Sequence, residues 1–131
     1  MSIEKNGMSI TPVLGKRIVQ SAKVGSATAD DIKWLTNQLL RASAPYKSSG
    51  WVYIADISKM DPVTPNISVE LVVMTKAILA NGCKAIAFVE GASFMLAAQA
   101  KAHQKQSNST VPEQHFRTME EAVEWAERML V

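Results

Sequence analysis

The 131-residue sequence contains a single cysteine, Cys83, so no disulfide bond can form within the chain. It also lacks any uninterrupted apolar run near the roughly 18 residues that a membrane-spanning helix needs. Its first residues, MSIEKNGMSI, have no apolar core of the kind that a signal peptide carries. These absences favour a cytoplasmic protein without a transmembrane segment.

The sequence has little excess charge of either sign and few residues that bind metals. Its 14 lysines and arginines nearly balance 12 acidic residues, for a formal net charge of +2. Nucleic-acid binding usually needs a clustered basic face, so we expect no nucleic-acid partner. The only histidines, His103 and His115, have no cysteine or paired carboxylate at ligand spacing, and there is no glycine-rich phosphate loop. We therefore expect no metal and no cofactor.

What the sequence does contain is an alternation of apolar strands and helices. Strands are predicted at 8–13, 17–24, 51–57, 84–90 and 114–118, and helices at 27–44, 66–80, 92–106 and from 118 onwards. The order β-β-α-β-α-β-α-β-α predicts an α/β fold with a mostly parallel sheet and an antiparallel strand at one edge. Because Pro12 cannot donate to a sheet ladder, we expect its strand at that edge. The prediction is one domain over 8–131, after a loose segment at 1–7.

Polar side chains follow three of the predicted strands. In a parallel sheet the carboxyl ends share one edge, where ligands bind and where each following helix directs its N-terminus. We therefore predict a ligand- or anion-binding edge made by Asp56, Ser58, Glu90, Gly91, Ser93 and Arg117.

Ser93 lies in the segment GASFM (91–95), in a predicted turn between strand and helix. The nucleophilic serine of a hydrolase occupies such a turn, but the second glycine of that motif is replaced here by Met95. No acid-base pair can be identified beside it. We expect Ser93 to cap a helix and the protein not to be an enzyme, with no catalytic residues.

The element order, together with WVYIADIS, NGCKAIAFVEGASFMLAAQA and FRTMEEAVEWAERML, resembles the SpoIIAA-like group of the STAS domain superfamily. That group is related to bacterial anti-sigma-factor antagonists and overlaps in fold with Sec14-type lipid-binding domains. The resemblance covers about residues 8 to 131 and is one of pattern. It implies a non-catalytic, STAS-like regulatory or protein-interaction module. The alternatives are a binder of a small apolar or lipid-like ligand, such as a fatty acid, including at a membrane surface, and, least favoured, a serine hydrolase.

The loop after the strand at 51–57 has a meaning within that resemblance. Antagonists of the group carry an Asp-Ser-Ser-Gly type motif at the start of the next helix, and phosphorylation of a serine there switches off partner binding. Here Asp56 and Ser58 resemble the acidic strand end, but the helix start reads TPNIS (64–68) and the motif is absent. Ser68 and Thr64 are therefore the candidate phosphosites. We favour the simpler interpretation that Ser58, Thr64 and Asn66 satisfy turn and cap groups, with Asn66 as a cap worth about 1 kcal/mol.

The helix at 66–80 is apolar on two sides. Helical spacing places Ile67, Leu71, Met74 and Ile78 on a core stripe. The other side carries the candidate interface residues Val69, Val72, Val73, Lys76 and Leu79. Exposed apolar patches mark interfaces or membrane contacts, so we predict a protein partner or a homodimer, with peripheral membrane contact as a further use. The competing explanation is that the loop at 57–66 or the N-terminal segment covers this face.

Overall fold

A computed structural model describes residues 2–13, 15–90 and 111–131, and a six-stranded sheet organises them. The strands are β1 (Ile3–Lys5), β2 (Met8–Pro12), β3 (Ile18–Lys23), β4 (Trp51–Asp56), β5 (Cys83–Val89) and β6 (Glu113–Phe116), and they lie in the sheet in chain order. The helices are α1 (Ala29–Ser43), α2 (Pro65–Ala80) and α3 (Met119–Met129), and a short 3-10 turn (Ala44–Tyr46) follows α1. The helix predicted at 92–106 lies outside the described residues.

The predicted fold class is confirmed. Strands β3 to β6 pair in parallel, while β1, β2 and β3 pair antiparallel and form the other side of the sheet. The parallel pairs are joined by crossover segments, as expected where strands and helices alternate. In the part of the chain that the structure describes, no helix is both long and apolar enough to cross a bilayer.

The strand β1 was not predicted, since residues 1–7 were expected to be loose. Asn6 and Gly7 both have positive φ angles, of 50° and 75°, and they join β1 to β2 as the two-residue turn that Asn-Gly favours. The prediction that the strand containing Pro12 lies at the sheet edge is therefore also wrong, because β1 lies at that edge. The pairing of β1 with β2 ends at Ile3, which is opposite Ile10. Pro12 therefore lies beyond the end of β1, and its missing N–H removes no hydrogen bond to that strand.

The strands present two apolar faces, because successive side chains of a strand point in opposite directions. We call the first the α1/α2 face; it includes Val19, Tyr53 and Ile86 and packs against Leu39 of α1 and Ile78 of α2. The second, the α3 face, packs against α3, and its buried members are Ile18, Val52, Ile54, Ala85, Ala87 and Val89 with Ala122 and Ala126 of α3.

The three helices begin in different ways. At α1 the Asp31 N–H donates to Thr28 Oγ1 at 3.1 Å and the Thr28 N–H donates to Asp31 Oδ2 at 3.0 Å, so Thr28 and Asp31 cap the helix reciprocally. At α3 the Glu121 N–H donates to Thr118 Oγ1 at 3.3 Å.

The N-cap of α2 is Thr64, whose side chain makes no capping bond, and Pro65 occupies the first turn. Asn66 lies inside that turn, where its Oδ1 accepts a hydrogen bond from Thr64 Oγ1. The prediction that Asn66 caps the helix is therefore wrong.

Candidate ligand-binding site

A cavity of about 80 Å³ lies between the α1/α2 face of the sheet and the two helices. It is located toward the carboxyl ends of β3, β4 and β5 and is partly open to solvent. Most of its surface is apolar. The sheet contributes Met8, Ser21, Ala22, Lys23, Tyr53, Ala55, Asp56, Ile86 and Phe88, the helices contribute Ile32, Leu35, Leu71, Met74 and Thr75, and the loop after β4 contributes Ile57, Met60 and Val63.

Small side chains of the sheet border the cavity beneath α1 and α2. In the sheet register Ser21 of β3 is opposite Ala55 of β4, and Ala55 is opposite Phe88 of β5. Longer side chains from the helices, such as Leu35 and Met74, border the same space. Atoms that line a void lose dispersion contacts, so an unfilled space of this kind destabilises the fold and a ligand that fills it recovers those contacts.

A buried pair of hydroxyl groups forms the most enclosed polar feature of the cavity. Ser21 Oγ and Tyr53 OH are 2.5 Å apart, and the two residues are only 5% and 3% exposed. Burial raises the pKa of the Tyr53 phenol well above its usual value, although its bond to Ser21 opposes that rise. The phenol therefore stays neutral and acts as a hydrogen-bonding group.

Lys23 also lines the cavity, but its charge is compensated. Its Nζ donates to the Asn6 carbonyl at 2.6 Å and lies 3.8 Å from Asp31 Oδ2. Burial alone would raise the pKa of Asp31, but hydrogen bonds from Thr28 and Asn6 and the Lys23 charge together lower it below its usual value. The two buried side chains thus form an ion pair that also secures the start of α1 and the β1–β2 turn.

The loop after β4 closes one side of the cavity, and Asp56 fixes its first turn. The Ser58 N–H and Ser58 Oγ both donate to Asp56 Oδ1, at 3.0 and 2.6 Å. Further along, the Gly25 N–H donates to the Lys59 carbonyl at 2.9 Å and the Asp61 N–H donates to the Gly25 carbonyl at 3.0 Å. These bonds tie the loops after β3 and β4 together, and Ser58 makes the turn bonds expected of it.

The binding edge predicted from the sequence is only partly reproduced around this cavity. Asp56 lines the cavity, and Ser58 is bonded to Asp56. Glu90 is engaged with a histidine instead, and Arg117 is exposed. Gly91 and Ser93 lie outside the described residues, so the interpretation of Ser93 as a cap stays a prediction.

The structure places His115 between two carboxylates, an arrangement that was not predicted. Its Nδ1 lies 2.6 Å from Glu90 Oε2, its Nε2 lies 3.3 Å from Glu113 Oε1, and its ring stacks on Phe88 with centroids 5.2 Å apart. The Glu113 carboxylate raises the pKa of His115, burial lowers it in part, and Glu90 adds to the rise. The spacing of Glu113 and His115 on one strand could have indicated the pair. In residues 2–13, 15–90 and 111–131 no group of acidic, histidine or cysteine side chains is arranged to hold a metal ion.

The outer side of α2 is where the interface was predicted. Val69 and Val73 are 62% and 54% exposed, Lys76 is exposed and Val72 is half-buried. Leu79 packs against the core of the α1/α2 face instead, so it does not belong to the outer side.

The inner stripe of α2 has Ile67, Met74 and Ile78 buried and Leu71 half-buried, as predicted.

Of the candidate phosphosites, Thr64 is exposed and Ser68 is half-buried. Whether either receives a phosphate stays a prediction.

The architecture of this chain is a SpoIIAA-like α/β fold, as the sequence resemblance implied. A solved structure with the same architecture is an uncharacterised protein of the DUF3478 family from Shewanella loihica PV-4, described as having a SpoIIAA-like fold. The two are 19% identical with a TM-score of 0.69, over 96% of this chain and 98% of that one. At this level of identity the similarity establishes the fold alone. No protein-family profile matches the chain, and no curated protein is significantly similar to it.

Proposed function

We propose that the protein is a non-catalytic binding module that holds a small, largely apolar molecule between α1, α2 and the sheet. The observation that carries this proposal is the cavity itself, which combines an apolar lining with a few inward polar groups at the carboxyl edge of the strands. Ligand sites in proteins have that character, and in open α/β sheets they occur at this edge.

The size of the cavity limits the ligand. An apolar cavity of about 150 Å³ holds benzene, whereas the volume here is about 80 Å³. The enclosed part therefore suits a group smaller than benzene. Because the cavity is partly open, a longer molecule would place one end inside and extend past the loop that carries Met60.

The chemistry of the buried side chains supports binding rather than catalysis. Burial raises the pKa of the Cys83 thiol to about 12, so it is not a nucleophile at neutral pH. The Tyr53 phenol is neutral and Lys23 is paired with Asp31. None of these three side chains is hydrogen-bonded to a base that would activate it.

Blocking the cavity tests this function. Ala55→Leu introduces a larger side chain at a lining position, and Ala80→Leu, at the exposed end of α2, makes the same chemical change on the surface. Native mass spectrometry of the purified proteins should show a retained small molecule in the wild type and in Ala80→Leu, and bare protein in Ala55→Leu. Equal retention by all three proteins would contradict the proposal.

A second candidate function is a protein-interaction module, and the exposed valines of α2 favour it. Val69 and Val73 lie one turn apart on the outer side of the helix. Replacing them with aspartate and lysine should yield a folded protein that sediments as a smaller species if this face is an interface. Val24→Lys is the matched control, since Val24 is a 56% exposed valine that lies away from α2. An unchanged sedimentation coefficient in the α2 variant would exclude this interface for self-association.

The resemblance to anti-sigma-factor antagonists supports a regulatory form of that second function. A phosphate on Thr64 would lie at the N-terminus of α2, where the helix dipole stabilises negative charge. Mass spectrometry of the protein from its own cells, together with partner binding by Thr64→Ala, tests this. No phosphate at Thr64 or Ser68 would leave the switch without support.

A further inference from the structure

The hydroxyl pair in the cavity contains one more donor proton than the hydrogen bond between the two groups uses. Ser21 and Tyr53 each carry one O–H donor, and the bond between them uses only one of the two. Among the described residues neither hydroxyl has any other hydrogen-bond partner. Buried donors in folded proteins are nearly always satisfied, so a second donor on residues that are only 5% and 3% exposed calls for an acceptor other than the described residues.

The position of the pair directs that second proton toward the cavity. Both residues line it, and their neighbours on the α1/α2 face, such as Met8 and Ile86, offer only carbon and sulfur. The main-chain groups of β3 and β4 near them are engaged in the sheet, where Val19 pairs with Tyr53 and Ser21 with Ala55. A ligand atom inside the cavity is therefore the acceptor that this geometry best accommodates.

The surrounding charges indicate that the acceptor is uncharged. Lys23 is already hydrogen-bonded to Asn6 and paired with Asp31, so it offers no free cation to an anionic ligand. An unpaired anion in an apolar cavity is costly, whereas a neutral oxygen needs only a hydrogen bond.

We propose that the free hydroxyl proton of the Ser21–Tyr53 pair binds a neutral oxygen of the ligand, so that the cavity takes a small apolar molecule bearing a carbonyl or ether group. This inference rests on the proposed function and adds the chemical class of the ligand. A hydrocarbon of the same shape would fill the space but leave the hydroxyl proton unpaired.

Two probes of the same shape separate these cases. Cyclobutanone carries a carbonyl oxygen, methylenecyclobutane carries a CH₂ group in its place, and both have fewer non-hydrogen atoms than benzene. Dissociation constants for both are measured by NMR titration with the wild type and with the double variant Ser21→Ala/Tyr53→Phe. Removing both hydroxyls together leaves no orphan donor, so the double variant should remain folded. The ketone is also better hydrated than the hydrocarbon. The quantity compared between proteins is therefore the dissociation constant of the hydrocarbon divided by that of the ketone.

We expect the preference for the ketone to fall about two- to tenfold in the double variant, as the loss of one hydrogen bond predicts. The matched control is Ser43→Ala/Tyr46→Phe, which makes the same chemical changes at residues that do not line the cavity. Its ratio should equal that of the wild type.

The outcomes distinguish this inference from the function on which it rests. If both probes bind the wild type but the ratio is the same in the double variant, the ligand class is wrong and the cavity function stands; a water molecule held by the hydroxyls would give that result. If neither probe binds the wild type, both proposals fall. A fall in the ratio in the control as large as that in the double variant would also overturn the assignment to Ser21 and Tyr53.

Discussion

The two faces of the sheet are built by the same strands but are packed differently. On the α3 face, Ala85 and Ala87 lie in the same fully buried cluster as Ala122 and Ala126 of α3, so small residues meet small residues. On the α1/α2 face, small strand residues such as Ala55 lie beneath long helix side chains, and a cavity remains. In this sheet, therefore, small strand residues are fully buried where they share a cluster with small helix residues, and they border a cavity where the helix side chains are long.

The largest difference between the faces is expected from the same substitution made on each. Ala87→Leu on the α3 face enlarges a side chain that is 0% exposed, and overpacking of this kind costs about 1–3 kcal/mol in the free energy of unfolding. Ala55→Leu adds the same atoms next to the cavity and should be neutral or stabilise by about 0.5–2 kcal/mol, as cavity filling does. Urea denaturation of both variants measures this, and equal losses would mean that the faces are equally packed.

A smaller effect should distinguish the two helices that cover the cavity. Thr28→Ala removes the hydrogen bond that the Asp31 N–H donates to the Thr28 side chain and should cost about 1 kcal/mol. Thr64→Ala at α2 removes a residue whose side chain makes no capping bond, and it should change the free energy of unfolding by less than about 0.5 kcal/mol. Thermal or urea unfolding checks both, and a reversed order would show that the two caps are wrongly assigned.

The smallest effect concerns pH and the α1/α2 face beside the cavity. The pKa of His115 is raised in the folded protein above its value of about 6.5 in an unfolded chain, first by Glu113 and then by Glu90. Protonation of His115 therefore stabilises the folded protein. This stabilisation is fully present below a pH of about 6.5, and it is lost as the pH rises through the pKa that His115 has in the folded protein. Urea denaturation at a series of pH values from weakly acidic to weakly basic should show that the free energy of unfolding declines as the pH rises. This decline should be smaller in His115→Gln. An identical pH profile in that variant would argue against the interaction.

The sequence predicts the order of the helices and strands, but it does not predict the cavity between them. The core stripe of α2 and the cap at Thr28 follow from local patterns, because helix periodicity and capping involve residues a few positions apart. The strand β1 also has a local sequence signal, since Asn6-Gly7 strongly favours a hairpin turn.

The cavity and the histidine site could not be predicted in this way. The cavity depends on the pairing of Ser21 with Ala55 and on the height of the helices above them. The site of His115 depends on β6 lying beside β5, which brings Glu90 to it across 25 residues of chain. Both are long-range relations that no local pattern contains. The interface on α2 and the phosphosites remain predictions.

The central claim is that a small apolar molecule binds in the cavity of the α1/α2 face, and an NMR titration tests it most directly. Methylenecyclobutane is added to isotope-labelled wild type and to Ala55→Leu, and methyl signals are followed on both faces. The account predicts saturable shifts at Leu71 and Met74, little change at Ala122 and Ala126, and loss of the Leu71 and Met74 shifts in Ala55→Leu. Shifts that do not saturate, or that are as large on the α3 face as around the cavity, would contradict it.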